Sequence, residues 1–150
     1  MKKLHYFIYV ILFFVIFGAI LWSTETAPYI FIDIASLLII LLFLMLLTVF
    51  QIGIKQTILY YKAVFDPTVD SETAKAGSRY FSTLSLYTLG TGMLGFLTGI
   101  MVVLAYYMED TKYVGPNMAV ALITLFYSVF FCLLIFLPFK MVLDSKARNA

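Results

Sequence analysis

Four long apolar runs, separated by short polar stretches, dominate the hydropathy pattern of the chain. A helix needs roughly 20 apolar residues to cross the hydrocarbon core of a bilayer. The runs that meet this length are, within a residue or two at each end, 4–23, 29–54, 86–107 and 117–142. The pattern predicts an all-α integral membrane protein in which residues 1–150 form a single domain of four transmembrane helices.

Basic residues lie at alternate ends of these runs, and this alternation predicts the direction of each helix. Lys and Arg accumulate on the cytoplasmic side of membrane helices. Here they precede the first run, fill the connection between the second and third, and follow the fourth: Lys2, Lys3, Lys55, Lys62, Lys75, Arg79, Lys140, Lys146 and Arg148. The other two connections hold Lys112 against Glu25, Glu109 and Asp110. Both termini and the middle connection are therefore predicted to be cytoplasmic.

The middle connection predicts a short helical hairpin that projects into the cytoplasm. Residues 54–65 continue the second run as a tyrosine-rich amphipathic stretch, and Asp66-Pro67 ends it because proline disfavours helix at the residue before it. Asp70 or Ser71 can then cap a helix that leads into the third run. We expect this hairpin to be too small for a core of its own.

Composition supports a membrane protein and argues against several other classes. Hydrophobic residues make up 63% of the chain, charged residues only 12%, and the mean hydropathy is +1.02, whereas soluble domains are about one quarter charged. The net charge of +2 is spread over the ends of the apolar runs. This distribution predicts a lipid bilayer as partner and no nucleic acid.

The sequence contains no arrangement typical of an active site or a metal centre. His5 is the single histidine and has no carboxylate near it in sequence, and Cys132 is the single cysteine. There is no glycine-rich phosphate loop after a strand and no nucleophile beside a base. We therefore expect no enzyme activity, no cofactor and no metal.

The last two apolar runs carry small and hydroxyl side chains that a lipid anchor does not need. Residues 88–107 and 117–139 contain no Asp, Glu, Lys, Arg or His. Helical spacing places one set on a broad face of the third run and another on a stripe of the fourth: Thr88, Thr91, Gly95, Thr98 and Gly99, then Asn117, Ala121, Thr124, Ser128 and Cys132. Two interpretations stay open: close helix packing with hydroxyls bonded to their own backbone, or the lining of a polar path.

Ion transport raises the question of a charge inside the membrane. Carriers coupled to protons usually keep an ionisable residue at membrane depth, and the shallowest candidate here is Asp33, near the start of the second run. Asp33 can equally be the N-cap of that helix, with Ser36 on the next turn. If this protein moves protons, we expect a partner to supply the carboxylate.

Three segments resemble the MotA/TolQ/ExbB proton-channel family. Residues 113–127 read YVGPNMAVALITLFY and lead to LIFLP at 134–138, which is similar to the last span of MotA-like members. Residues 31–39, FIDIASLLI, resemble the opening of their second span. Gly92-Met-Leu-Gly95, followed by Gly99, is similar to a glycine motif of the family. The three motifs occur in the family's order on a matching four-span topology.

The resemblance implies a stator-like subunit of the bacterial inner membrane that couples proton or sodium motive force to mechanical work. Five copies would surround two single-span helices of the MotB/TolR/ExbD type, whose aspartate carries the ion. The residues implied for the ion path are Thr124, Thr91, Thr98 and Ser128. Those implied for helix packing, including packing in the ring, are Gly92, Gly95, Gly99 and Ala121, and the second-span motif contributes Asp33 and Ser36.

Several positions depart from the family pattern and support an alternative. Phe96 and Leu125 replace threonines of the path, Leu89 replaces a proline, and the middle connection of about thirty residues cannot hold the large cytoplasmic domain of MotA. The alternative is a non-conducting scaffold or assembly protein that retains the stator fold. A self-contained transporter is disfavoured by the missing membrane charge, although backbone carbonyls and hydroxyls can also coordinate ions.

Overall fold

The computed structural model describes residues 3–23, 25, 27–106 and 111–149, and this part of the chain is helical without a strand. The helices are α1 (Lys3–Ser23), α2 (Ile34–Leu47), α3 (Ile54–Phe65), α4 (Ser71–Tyr106), α5 (Thr111–Phe131) and α6 (Leu137–Asn149). A 3-10 turn at Pro28–Phe31 precedes α2, and π-helical segments at Thr48–Ile52 and Cys132–Phe136 follow α2 and α5.

Four helical stretches are long and apolar enough to cross a membrane: 6–23, 28–52, 71–106 and 112–148. They coincide with the four predicted runs, so the chain is a multi-pass membrane protein. The helices extend beyond the predicted bounds, since α4 begins fifteen residues before the third run. Tyr107, the predicted end of the third run, and Glu109 and Asp110 of the third connection lie outside the described residues.

The chain divides into two units, residues 1–33 and residues 34–150. In the first unit, α1 has no buried side chain among its described residues. The Phe17 ring packs edge-on against Phe31 of the 3-10 turn, with 5.4 Å between ring centroids. Large exposed apolar side chains along α1, such as Phe7 and Val15, suit a helix surrounded by lipid.

One part of the core of the second unit lies in a three-helix bundle formed by α3, residues 71–85 of α4, and α6. Phe81 is fully buried at its centre, and its ring meets Tyr61 of α3 and Phe139 of α6 in edge contacts at 5.1 and 5.4 Å. The α3–α4 hairpin shares this core with α6, so the core is not the hairpin's own. α6 continues the helix of α5 and the π-helical segment without a break, and it supplies the third side of the core.

Two sets of hydrogen bonds hold the tip of the hairpin, and the sequence predicted one of them, the cap of α4 by Asp70 or Ser71. Thr68 donates from its backbone nitrogen and its hydroxyl to Asp66 Oδ1 at 2.8 and 2.7 Å. Asp70 Oδ2 accepts from the Thr73 backbone nitrogen at 2.7 Å, so Asp70 is the N-cap of α4. These hydrogen bonds, first those from backbone nitrogens, lower the pKa of both carboxyl groups.

One glycine and two prolines lie near the ends of helices. Gly53 has a φ of 85°, a conformation that favours glycine, and it separates the π-helical end of α2 from α3. Pro138 follows the second π-helical segment by two residues and does not end the helix, which continues to Asn149. Pro116 lies within the second turn of α5, so the helix begins before the predicted start at Asn117.

Candidate functional site

In the membrane part of the second unit, three glycines of α4 pack closely against α5. A Cβ atom on Gly92 would overlap the Ser128 hydroxymethyl group, and one on Gly99 would overlap the Ala121 methyl and lie 3.1 Å from its Cα. A Cβ on Gly95 would lie 2.6 Å from Thr124 Cγ2. Only glycine at these positions lets the two helices approach so closely.

The residues expected to serve helix packing therefore meet one another inside a single chain. Gly92, Gly95 and Gly99 all face α5, and Ala121 is the contact of Gly99. Gly90 of α4 lies outside this contact, since an added Cβ there would meet nothing within 4 Å.

Two buried hydroxyls of the predicted site join α2 to α5. Thr124 Oγ1 donates to Ser36 Oγ at 2.9 Å, although the two residues are 88 positions apart in sequence. Their exposed fractions are 4% and 2%. Ser128, one turn further along α5 and fully buried, donates to the Leu125 carbonyl at 2.7 Å. We call Ser36, Thr124 and Ser128 the hydroxyl cluster.

Thr91 and Thr98 lie outside the hydroxyl cluster. Each donates to the carbonyl one turn earlier in its own helix, Thr91 to Tyr87 at 2.9 Å and Thr98 to Leu94 at 2.8 Å. Thr98 is exposed and Thr91 is partly exposed. Since they are two helical turns apart, they form a hydroxyl stripe beside the glycine face and on the outer surface of α4. The structure thus divides the four predicted path residues into a buried pair and a surface pair.

Asp33 is the residue directly before α2, which is the N-cap position, and its side chain is partly exposed. It belongs to the first unit, whereas Ser36 belongs to the second. Of the second-span motif, Ser36 is a member of the hydroxyl cluster.

Sequence reasoning placed Thr88 on the glycine face and gave it no role, yet the structure singles it out. Thr88 is fully buried, and its hydroxyl has no hydrogen-bond partner among the described residues. Next to it, Cys132 Sγ donates to the Ser85 carbonyl at 3.3 Å, which fixes α4 against the start of the second π-helical segment. The spacing of positions 85, 88, 92, 95 and 99 was the available signal, since it predicts one face.

Together these features define a class: a multi-pass, all-helical membrane protein whose last two long helices pack through glycine and hydroxyl side chains. The model of the MotA/TolQ/ExbB proton channel family matches residues 43–150. The chain belongs to this family, and the resemblance found in its motifs is confirmed. The family is described as one of proton channels.

The chain is also similar to a curated protein. The chain is 31% identical over 87 residues to the uncharacterized protein YtxD of Bacillus subtilis (strain 168). The match covers 54% of this chain and 32% of that protein, so this chain spans about a third of the length of the relative.

Proposed function

We propose that this protein is the ring-forming subunit of an ion-driven, stator-like complex of the bacterial inner membrane. The observation that carries the proposal is the buried Thr124–Ser36 hydrogen bond in a segment without charged residues. Hydroxyls inside a membrane protein can exchange hydrogen bonds with water or a passing ion, and they cost far less to bury than a charge. Thr124 also lies within the region that matches the proton-channel family.

The ion-carrying carboxylate belongs to a single-span partner of the MotB/TolR/ExbD type in this proposal. Residues 88–106 of α4 contain no Asp or Glu, and neither do residues 117–139, which run from α5 through the second π-helical segment into α6. A partner aspartate would have to face hydroxyls on the surface of this chain, and Thr91 and Thr98 offer such a stripe. The hydroxyl cluster lies one helix layer behind it. By resemblance, five copies surround two partner helices.

The three-helix bundle is the cytoplasmic end of the molecule in this proposal. Its helices carry Lys55, Lys62, Lys75, Arg79 and Lys140, in agreement with the preference of basic residues for the cytoplasmic side. The α3–α4 connection has no room for a large rotor-contacting domain, so we propose that the mechanical work is done at the cell envelope and not on a flagellar rotor.

The test replaces the central hydroxyl. Valine has the shape of threonine and no hydroxyl, so we expect Thr124→Val to abolish ion flux while the complex still assembles. Thr124→Ser keeps the hydroxyl and is the matched control. The measurement is the fall of internal pH in cells that express the chain with its partner under an applied proton gradient. Unchanged flux in Thr124→Val would rule out Thr124 as part of the path.

A second candidate function, a non-conducting scaffold with the stator fold, is favoured by a specific observation. Thr124, Ser128, Thr91 and Thr98 each direct their hydroxyl to an acceptor inside the chain. Phe96 and Leu125 are apolar where family members carry threonine. A wild-type complex that assembles with its partner and leaves internal pH unchanged under the gradient would identify a scaffold.

A further inference from the structure

Thr88 lacks a hydrogen bond that three other threonines of α4 make. Thr83, Thr91 and Thr98 donate to the carbonyl four residues earlier at 3.0, 2.9 and 2.8 Å. This is the usual way for a helix to satisfy threonine in an apolar environment. The Thr88 hydroxyl is fully buried and makes no hydrogen bond to any described residue. A buried donor in this state is unfavourable and calls for a partner outside the polypeptide.

The position of Thr88 is fixed by contacts on both sides of it. One turn later, Gly92 packs on Ser128, and one turn earlier, the Ser85 carbonyl accepts from Cys132 Sγ. Thr88 lies on the same face of α4 as these residues. It therefore lies between the level at which α4 meets Ser128 of α5 and the level at which α4 meets Cys132, the first residue of the second π-helical segment. Such segments are frequent at functional sites.

We propose that Thr88 binds a water molecule buried between α4 and α5. A side chain of a partner cannot reach a fully buried hydroxyl while the two helices are packed, whereas one water can. Thr88 supplies a donor, and Ser128, which donates to Leu125, can still accept through its lone pairs. A buried water needs two to four polar partners of this kind.

The proposed water extends the hydroxyl cluster by one step toward the three-helix bundle. Ser36 and Thr124 lie at one level, Ser128 is a turn further along α5, and Thr88 lies beyond it. With this water included, the row of buried polar groups extends from Ser36 and Thr124 past Ser128 to Thr88. Its use as part of an ion path depends on the proposed function, but its presence does not.

Solid-state NMR of the full chain in lipid bilayers tests the site directly. In protein with labelled threonine and valine, we expect transfer of magnetisation from water to the Thr88 side chain to be several times faster than to Val103, which is buried and apolar. Thr88→Ser assigns the signal. Transfer to Thr88 as slow as to Val103 would overturn the proposal.

The melting temperature gives a second, independent test. With a water bound, Thr88→Val removes one of its partners, so we expect a lower melting temperature than in the control Thr83→Val, whose hydroxyl bonds to its own helix. If the site is dry, Thr88→Val removes an unsatisfied donor and raises the melting temperature, which contradicts the proposal. Neither test needs ion flux, so a complex that does not conduct would refute the proposed function and leave the water site standing.

Discussion

In the membrane part of the second unit, the two glycines Gly99 and Gly90 of α4 have very different surroundings. Gly99 meets the Cα and methyl of Ala121, a neighbour that has no flexible side chain to move away. Gly90, nine residues earlier in the same helix, has open space where its Cβ would be. The two glycines have the same helical backbone and differ only in what lies next to them, so they form a matched pair.

We expect Gly99→Ala to destabilise the protein and Gly90→Ala to leave it unchanged or more stable. A methyl group forced into a packed interface typically costs about 1–3 kcal/mol, whereas replacing glycine by alanine in an open helix position gains roughly 0.5–1 kcal/mol. Unfolding in detergent, followed by circular dichroism, measures both changes. Equal effects at the two positions would show that α4 and α5 are not packed through Gly99.

At the scale of elements, Lys146 fastens α6 to the end of α3. Its Nζ donates to the carbonyls of Ala63, Val64 and Asp66 at 2.7, 2.9 and 2.6 Å. A positive charge at a helix C-terminus also interacts favourably with the helix dipole. Ser71 adds a bond to the Ala147 carbonyl at 3.0 Å, and Ser78 donates to Asp144. α6 is therefore attached to both helices of the hairpin by polar contacts as well as by its apolar face.

Lys146→Met keeps the length of the side chain and removes its three donors. We expect a loss of stability of about 2 kcal/mol, since hydrogen bonds to charged groups contribute more than neutral ones, and faster amide exchange at the α3 end. Lys140→Met, in the same helix, is the control. Hydrogen–deuterium exchange of a peptide covering residues 62–70 is the measurement. Equal protection in the two variants would contradict the role given to Lys146.

The N-cap of α4 predicts a pH dependence of known sign. Hydrogen bonds lower the pKa of Asp70 in the folded state, so the cap stabilises fully above the ordinary value of about 3.9 and is lost as the pH falls through the lowered value. We expect the first turn of α4 to lose protection in acid below about pH 4. Asp70→Asn, which caps without titrating, should remove this dependence. An NMR titration that gives Asp70 an unshifted pKa would contradict the cap.

The sequence predicts the features of these elements that depend on neighbouring residues, and it does not predict those that depend on residues far apart in the chain. The four spans, the Asp66-Pro67 break and the Asp70 cap follow from local periodicity and turn chemistry, and the structure has them. The Thr124–Ser36 bond and the three acceptors of Lys146 do not follow. These hydrogen bonds join segments that are far apart in sequence. A lysine that donates to backbone carbonyls needs no particular partner side chain, so no residue pattern indicates the interaction. Helical spacing groups Thr91 with the glycines of α4, but spacing alone does not show which neighbouring helix covers that side of α4.

At the scale of the whole molecule, one face of α4 is both apolar and exposed. Leu86, Met93, Leu97 and Met101 are exposed at helical spacing, together with Gly90. Within the proposed complex this surface contacts lipid, neighbouring copies or the partner helix.

Native mass spectrometry of the tagged chain, purified gently from its own membrane, tests the stator proposal most directly. We expect five copies of the chain with two copies of a single-span protein that carries one aspartate in its membrane segment. A monomer, or a ring that contains no second protein, would contradict the stator proposal.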